Sequence, residues 1–264
     1  MLIAGDLLEI GPAWAASQRT FAREELPRIL AELRTALPTG QIIAQMGNDD
    51  LHTLEPELRA FESQGLFHLL NNEVREIEGL WFGGMNRVRD YPFRYKHWVA
   101  RDGDVVDHPV QYRAWTESGL AAFRRRLLME PSIGESLEFL AHGIPEKERL
   151  GSVWLIHQPP SETGLGNLES GQDVGSPDVL DFLDRHQPIL SCHGHIHESP
   201  EAPGGRWAMA VADTLALQPG QLGSRLHYVM CQVAPGAVTD VRHSIYGRLP
   251  LEMNRPGTPP DRSV

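Results

Sequence analysis

Short apolar runs that stop abruptly on glycine, aspartate, asparagine or histidine recur along this chain. Met1-Leu2-Ile3-Ala4 stops at Gly5-Asp6, and residues 41–46 stop at Gly47-Asn48-Asp49-Asp50. Val153-Trp154-Leu155-Ile156 stops at His157, and Ile189-Leu190-Ser191-Cys192 stops at His193. Runs this short and this apolar predict buried strands. Helical periodicity fills the spaces between them. Phe21, Leu26, Ile29, Leu30 and Leu33 form one stripe over residues 17–36, with charges elsewhere. Further helices are predicted over 57–65, 118–128, 134–142 and 176–186, and residues 67–70 and 80–82 are strand-like. A long aromatic and basic loop occupies 84–118. The last third is rich in Gly and Pro with short strands such as 226–233, and the polar, Pro-rich tail from Arg255 is predicted disordered.

Strands alternating with helices predict an α/β fold. With neither an internal repeat nor an evident linker, 264 residues suit one domain over 1–250 followed by a tail at 251–264. Hydrophobic residues make up 41% and charged residues 22%, an ordinary globular balance. The formal net charge of −11 repels polyanions and argues against a nucleic-acid duplex as partner. Two cysteines, Cys192 and Cys231, are too few for a disulfide framework. No apolar run approaches a membrane span and no signal peptide is visible, so a cytoplasmic location is expected.

The candidate chemistry sits where the strands end. Asp6, Asn48, His157 and the run His193-Gly194-His195-Ile196-His197 all follow apolar runs, and ligands of α/β sheets sit beyond the carboxyl ends of strands. Glycine before Asp6 and Asn48 lets the backbone turn sharply there. An Asp, an Asn and three His form a mixed oxygen and nitrogen set. It suits a divalent transition metal such as Mn, Fe or Zn better than Ca. His195 and His197, spaced by one residue, point the same way on an extended turn. Taken singly, Gly-Asp is a turn, Gly-Asn-Asp-Asp an Asx turn or helix cap, and His157 a core histidine. Their joint order after successive strands is what marks a metal site.

At these residues the sequence resembles the calcineurin-like metallophosphoesterase superfamily. Gly5-Asp6, Gly47-Asn48-Asp49-Asp50, His157 and Gly194-His195-Ile196-His197 match that family's Gly-Asp, Gly-Asn-His-Asp/Glu, lone His and Gly-His-x-His motifs in order. His157-Gln158-Pro159-Pro160, His195-Ile196-His197-Glu198 and Pro219-Gly220 resemble one bacterial branch of it. The resemblance implies a four-layer α/β/β/α sandwich and hydrolysis of a small phosphomonoester or phosphodiester by a metal-bound hydroxide. It also implies that Asp6 bridges two metals, that Asn48, His157 and His195 complete one shell, and that His197 serves the other.

The sequence departs from that pattern twice. Asp-x-His, which should precede Gly5-Asp6 by a strand and a helix, is missing, so the chain is read as N-terminally truncated and lacking its first strand-helix unit. One metal rather than two is then expected here, through Asp6, Asn48, His157 and His195. The second departure is Asp49, where the family has a His that stabilises the phosphoryl group and protonates the leaving oxygen. Asp49 and Asp50 are therefore the candidate catalytic pair, with Asp50 holding Asp49 protonated or His52 substituting for the missing His. In residues 86–97, Arg87, Arg89, Arg94 and Lys96 alternate with Tyr91, Phe93 and Tyr95, which suits either a substrate loop or a solvated loop over packed rings. Arg124-Arg125-Arg126 is read as a solvated helix face. The alternative function is a catalytically weakened relative that acts as a metal- or nucleotide-binding module. A metalloprotease is disfavoured, because no His-Glu-x-x-His helix exists.

Overall fold

The structure, a computed structural model, describes residues 1–8, 13–91, 93, 95–103 and 119–249. The chain opens with strand β1 (Leu2–Ala4) and a long helix in three parts: α1 (Trp14–Thr20), a π turn over Phe21–Glu25, and α2 (Leu26–Ala36). Pro27 in the first turn of α2 has no N–H to donate, and the helix widens just before it, with the Leu26 N–H reaching the Phe21 carbonyl. Strand β2 (Ile43–Gln45), helix α3 (Glu55–Ser63) and strand β3 (His68–Leu69) follow. Strands β1, β2 and β3 pair in that order as a parallel sheet, with Ile43 opposite both Leu2 and His68.

A hairpin comes next, β4 (Glu73–Ile77) and β5 (Leu80–Met85), turning at Glu78-Gly79 where both residues have positive φ. Beyond the loop lie α4 (Leu120–Met129), α5 (Ile133–His142) and the short α6 (Glu146–Arg149). A capping box starts α5: the Ser132 hydroxyl accepts from the Glu135 N–H, and the Glu135 carboxylate accepts from the Ser132 N–H. Strand β6 (Val153–Ile156), helix α7 (Pro177–His186), strand β7 (Leu190–Cys192) and the hairpin β8 (Ala208–Val211) and β9 (Thr214–Leu217) complete a six-stranded sheet. Its order is β4-β5-β6-β7-β9-β8, parallel in the middle with an antiparallel strand at each edge. A separate antiparallel sheet is formed by β10 (Val229–Ala234), β11 (Ala237–His243) and β12 (Gly247–Arg248). The predicted α/β class is what the structure has. The predicted domain end at 250 and the tail beyond it lie outside the described residues.

Alternation along the strands divides the core. Ile42, Ala44 and Met46 pack with Leu26, Leu30 and Leu58, whereas Ile43 between them packs with Phe82, Val153, Leu155 and Leu190. In β6, Val153 and Leu155 share that cluster, while Trp154 and Ile156 pack with Leu137, Phe182 and Leu183 of α5 and α7. Both strands are buried on two faces, which is why each is a continuous apolar run. Among the described residues no helix is long and apolar enough to cross a membrane.

Candidate functional site

Four strand ends from two different sheets meet at one place. Strand β1 delivers Asp6 and β2 delivers Asn48, both from the three-stranded sheet; β6 delivers His157 and β7 leads to His195 and His197, both from the six-stranded sheet. All five predicted side chains are in contact. Asn48 Oδ1 lies 2.9 Å from His157 Nε2 and 2.5 Å from His195 Nδ1. Asp6 Oδ2 lies 3.4 Å from His157 Nε2 and 3.4 Å from His197 Nε2. His157 is buried, whereas the His197 side chain is 47% exposed.

Glycines make the convergence possible, chiefly by leaving room. A Cβ on Gly5 would lie 2.1 Å from His157 Nδ1, and one on Gly194 would lie 2.8 Å from the Ala4 carbonyl and 3.0 Å from His157 Nδ1. Gly5 does turn the chain, at φ +111°. Gly47, also expected as a turn residue, has no left-handed φ and serves instead as space: a Cβ there would meet the Asp6 N–H group at 2.2 Å and Asp6 Oδ1 at 2.3 Å.

Hydrogen bonds fix the orientation of each group. His157 Nδ1 lies 2.7 Å from the Ala4 carbonyl, which can only accept, so Nδ1 carries the proton and Nε2 faces the site. Asn48 Nδ2 donates to Asp49 Oδ1 at 3.0 Å, which turns Asn48 Oδ1 toward the imidazoles. With neutral His157, the converging atoms at Asp6, Asn48 and His157 are all acceptors, an arrangement that a cation or an added proton satisfies. Bonds of about 2.0–2.2 Å to one transition ion separate neighbouring ligand atoms by about 2.9–3.6 Å. The 2.9 and 3.4 Å contacts fit such a shell, and His195 would retreat by roughly half an ångström to join it. Among the described residues no three His, Cys, Asp or Glu side chains form a metal-ready group.

The titration of the cluster follows from its geometry. Burial would raise the Asp6 carboxyl, but the His157 charge and the hydrogen bonds from His157 and His197 hold it well below the usual range. Burial works against protonation of His157, and the adjacent Asp6 outweighs it, so that His157 is raised. The hydrogen bond that His197 donates to Asp6 raises His197 as well. Burial, with His157 nearby, pushes His195 down to about 3. Burial and the Asp6 charge push Asp49 up to about 6.

Asp50 has a different surrounding from Asp49. It is fully buried, and its carboxylate accepts the Leu7, Leu8 and Gly47 N–H groups at 2.8, 2.8 and 2.7 Å. It thereby ties the loop after β1 to the loop after β2. Burial and Asp6 push it up to about 7 against those three donors. Gln18 holds the same loop from the helix side: Nε2 donates to the Asp49 carbonyl at 2.7 Å and Oε1 accepts from the Leu51 N–H at 2.9 Å. The sequence held one signal of that role, a polar residue in step with Ala22, Leu26 and Leu30 on the buried stripe. Gln218, one residue beyond β9, donates to the Gly194 and Ile196 carbonyls and pins the histidine run, and no sequence pattern announced it.

The described cations of the basic loop are paired within the protein. Arg87 pairs with Glu130 at 2.5 Å, Arg89 donates to the Gly175 carbonyl at 2.9 Å, and buried Lys96 donates to Asp90 at 2.6 Å. Tyr95 is buried, with its hydroxyl 3.2 Å from His52 Nδ1 and Trp14 against its ring. His52 is taken up in that cluster, stacked on His97 with ring centroids 3.5 Å apart. Phe93 meets the metal-ligand candidates, edge-on to His195 with ring centroids 5.5 Å apart. Arg94 lies outside the described residues. In the Arg124-Arg125-Arg126 run the first two are exposed, and Arg126 donates to the Lys96 carbonyl at 3.2 Å.

No family model matches the chain, and no curated protein does. Among solved structures, TT1561 of Thermus thermophilus is similar to it at 16% identity with a TM-score of 0.47, covering 84% of this chain and 77% of that one. A second crystal structure is similar at 16% identity and a TM-score of 0.40, covering 78% and 69%. Likenesses this distant assign no family.

Proposed function

We propose that this chain is a metal-dependent phosphoesterase of the calcineurin-like metallophosphoesterase superfamily, built as a four-layer α/β/β/α sandwich and acting on a small phosphoester. The observation that carries the reading is the convergence of Asp6, Asn48, His157, His195 and His197 from four strand ends, with polar atoms 2.5–3.4 Å apart. One divalent ion (Mn, Fe or Zn) would be held by Asp6, Asn48, His157 and His195, with His197 on the open side of Asp6. Such an ion supplies Lewis acidity toward a phosphoryl oxygen and toward water.

The protein's own groups do the rest. The Ala4 carbonyl keeps His157 in the tautomer whose Nε2 faces inward. Asp50 and Gln18 hold the two loops in register. Asp49, raised to about 6, is protonated in only a minority of molecules at neutral pH, and that form is the one that would pass a proton to the departing ester oxygen. The net charge of −11 supports a small ester over a duplex as substrate.

A second reading, a metal- or nucleotide-binding module of weak activity, is favoured by the pairing of Arg87, Arg89 and Lys96 within the protein. The test measures hydrolysis of bis(4-nitrophenyl) phosphate with and without Mn, together with metal content, for the parent protein and for Asn48→Ala and His195→Ala. Mn-dependent hydrolysis lost in both variants along with the metal supports the enzyme. Metal binding without hydrolysis in the parent protein supports the module.

A further inference from the structure

Two sheets that share no strand supply the strand-end cluster, so the gap between them sets how its side chains meet. The chain passes from the three-stranded sheet to the six-stranded one through Leu70, Asn71 and Asn72, which link β3 to β4. At this link the sheets touch: a Cβ on Gly84 of β5 would lie 2.1 Å from the Leu70 carbonyl oxygen and 2.6 Å from Leu70 Cβ. The two asparagines hold opposite sides of the contact. Buried Asn71 accepts the Met46 N–H on Oδ1 at 2.9 Å, one step beyond the bond that the Leu70 N–H donates to the Ala44 carbonyl at 2.8 Å. Half-buried Asn72 pairs reciprocally with buried Asn86: its Nδ2 donates to Asn86 Oδ1 at 2.7 Å, and its Oδ1 accepts the Asn86 N–H at 3.3 Å.

Both holds end on the site. Met46 stands two residues before Asn48, and Met85, next to Asn86, accepts the His157 N–H at 2.9 Å. The path from Asn48 to His157 therefore runs through Met46, Asn71, Asn72, Asn86 and Met85, and it closes where Asn48 Oδ1 lies 2.9 Å from His157 Nε2. Position 72 makes two demands at once. Its backbone is left-handed, at φ +52°, which few residues with a side chain tolerate, and its side chain must both donate and accept. Asparagine meets both. We infer that Asn71 and Asn72 are positioning residues of the strand-end cluster, a clasp between the two sheets that fixes how far Asn48 stands from His157. The inference rests on the metal-site reading of the proposed function. Groups that orient a metal's ligands from behind commonly govern its affinity by 10–100-fold, which gives the clasp a measurable consequence.

The test compares four variants. Asn72→Gly keeps the positive φ and removes the amide, and Asn71→Ala removes the acceptor of the Met46 N–H. Asn72→Asp is the conservative change: aspartate tolerates the same φ, and Asn86, whose Nδ2 has no partner among the described residues, can turn its amide to donate to the carboxylate. Ser132→Ala removes the capping bond of α5, a helix that carries no site residue, and reports loss of stability alone. Mn affinity by calorimetry should fall about tenfold in the two truncations and stay within about threefold of the parent protein in Asn72→Asp and Ser132→Ala. A second readout needs no metal. The His157 Nδ1–H donates to the Ala4 carbonyl on the opposite sheet, so its NMR resonance at alkaline pH, assigned by its loss in His157→Gln, should shift in the truncations and hold in the other two. Thermal melts report folding, and either truncation is decisive by itself. A folded Asn72→Gly or Asn71→Ala with parent-like Mn affinity and an unmoved His157 resonance overturns the inference. An equal loss of affinity in Ser132→Ala overturns it too, since the effect is then one of general stability. If the parent protein binds no Mn, the metal-site reading falls, and the His157 resonance alone decides the clasp.

Discussion

Asp50→Ala should be the most informative single change in the frame of the site, because one side chain there closes two loops. Its carboxylate accepts from the Leu7, Leu8 and Gly47 N–H groups at 2.7–2.8 Å, and the residue is fully buried. Removing the acceptor leaves three buried donors, each costing about 1–3 kcal/mol when no water replaces the partner. Part of that loss is offset, since the variant no longer buries a carboxyl that burial and Asp6 push up to about 7. A net destabilisation of about 3–5 kcal/mol is expected, in the range for breaking a buried charged network. Asp50→Asn keeps one oxygen, which can retain the two bonds now made by Oδ2 to Leu7 and Gly47, and should cost about 1–3 kcal/mol. The assay is urea unfolding followed by tryptophan fluorescence, with the slope compared between variants to establish that the transition is the same. If Asp50→Ala unfolds within about 1 kcal/mol of the parent protein, or Asn costs more than Ala, the clamp reasoning is wrong.

Gly47→Ala would put a methyl group 2.2 Å from the Asp6 backbone nitrogen, so Mn affinity should fall about 10–100-fold in a folded protein; unchanged affinity by calorimetry would mean that Gly47 does not set the ligand spacing. His157 and His197 are both raised above the ordinary value of 6.5; His157 must lose its proton to bind the ion, and a protonated His197 beside Asp6 would repel it. The rise in Tm given by Mn should therefore be full at alkaline pH and shrink on acidification, beginning above pH 6.5. A Mn-induced shift that grows on acidification from alkaline to mildly acidic pH would contradict this assignment.

The parts of the fold that were legible in the sequence are those whose burial is complete. Strands β2, β6 and β7 are covered on both faces and so appear as short apolar runs, whereas β4 was missed. Its Glu73-Val74-Arg75-Glu76-Ile77 is an edge strand whose charges are used in place, Arg75 pairing with Glu62 and Glu73 while Arg59 reaches the same carboxylates. The helix over 17–36 was visible as one stripe. The π turn within it was not, because apolar spacing carries no information about which carbonyl a proline leaves without a donor.

The sequence by itself determined which side chains stand at strand ends and in what order: Asp6, Asn48, His157, His195 and His197. Local rules suffice for that, since a run of apolar residues and the polar residue that ends it are neighbours in the chain. Tertiary structure decided that β1 and β2 belong to one sheet and β6 and β7 to another, and that their carboxyl ends meet with Asn48 between two imidazoles. It also decided that Gly5, Gly47 and Gly194 make room around His157 and Asp6, and that Arg87, Arg89 and Lys96 of the basic loop answer to Glu130, Asp102 and Asp90. The contact of Asn48 with His157 joins residues 109 positions apart, and that of Asp6 with His197 joins residues 191 apart. They arise from how the sheets pack, which no window along the chain contains.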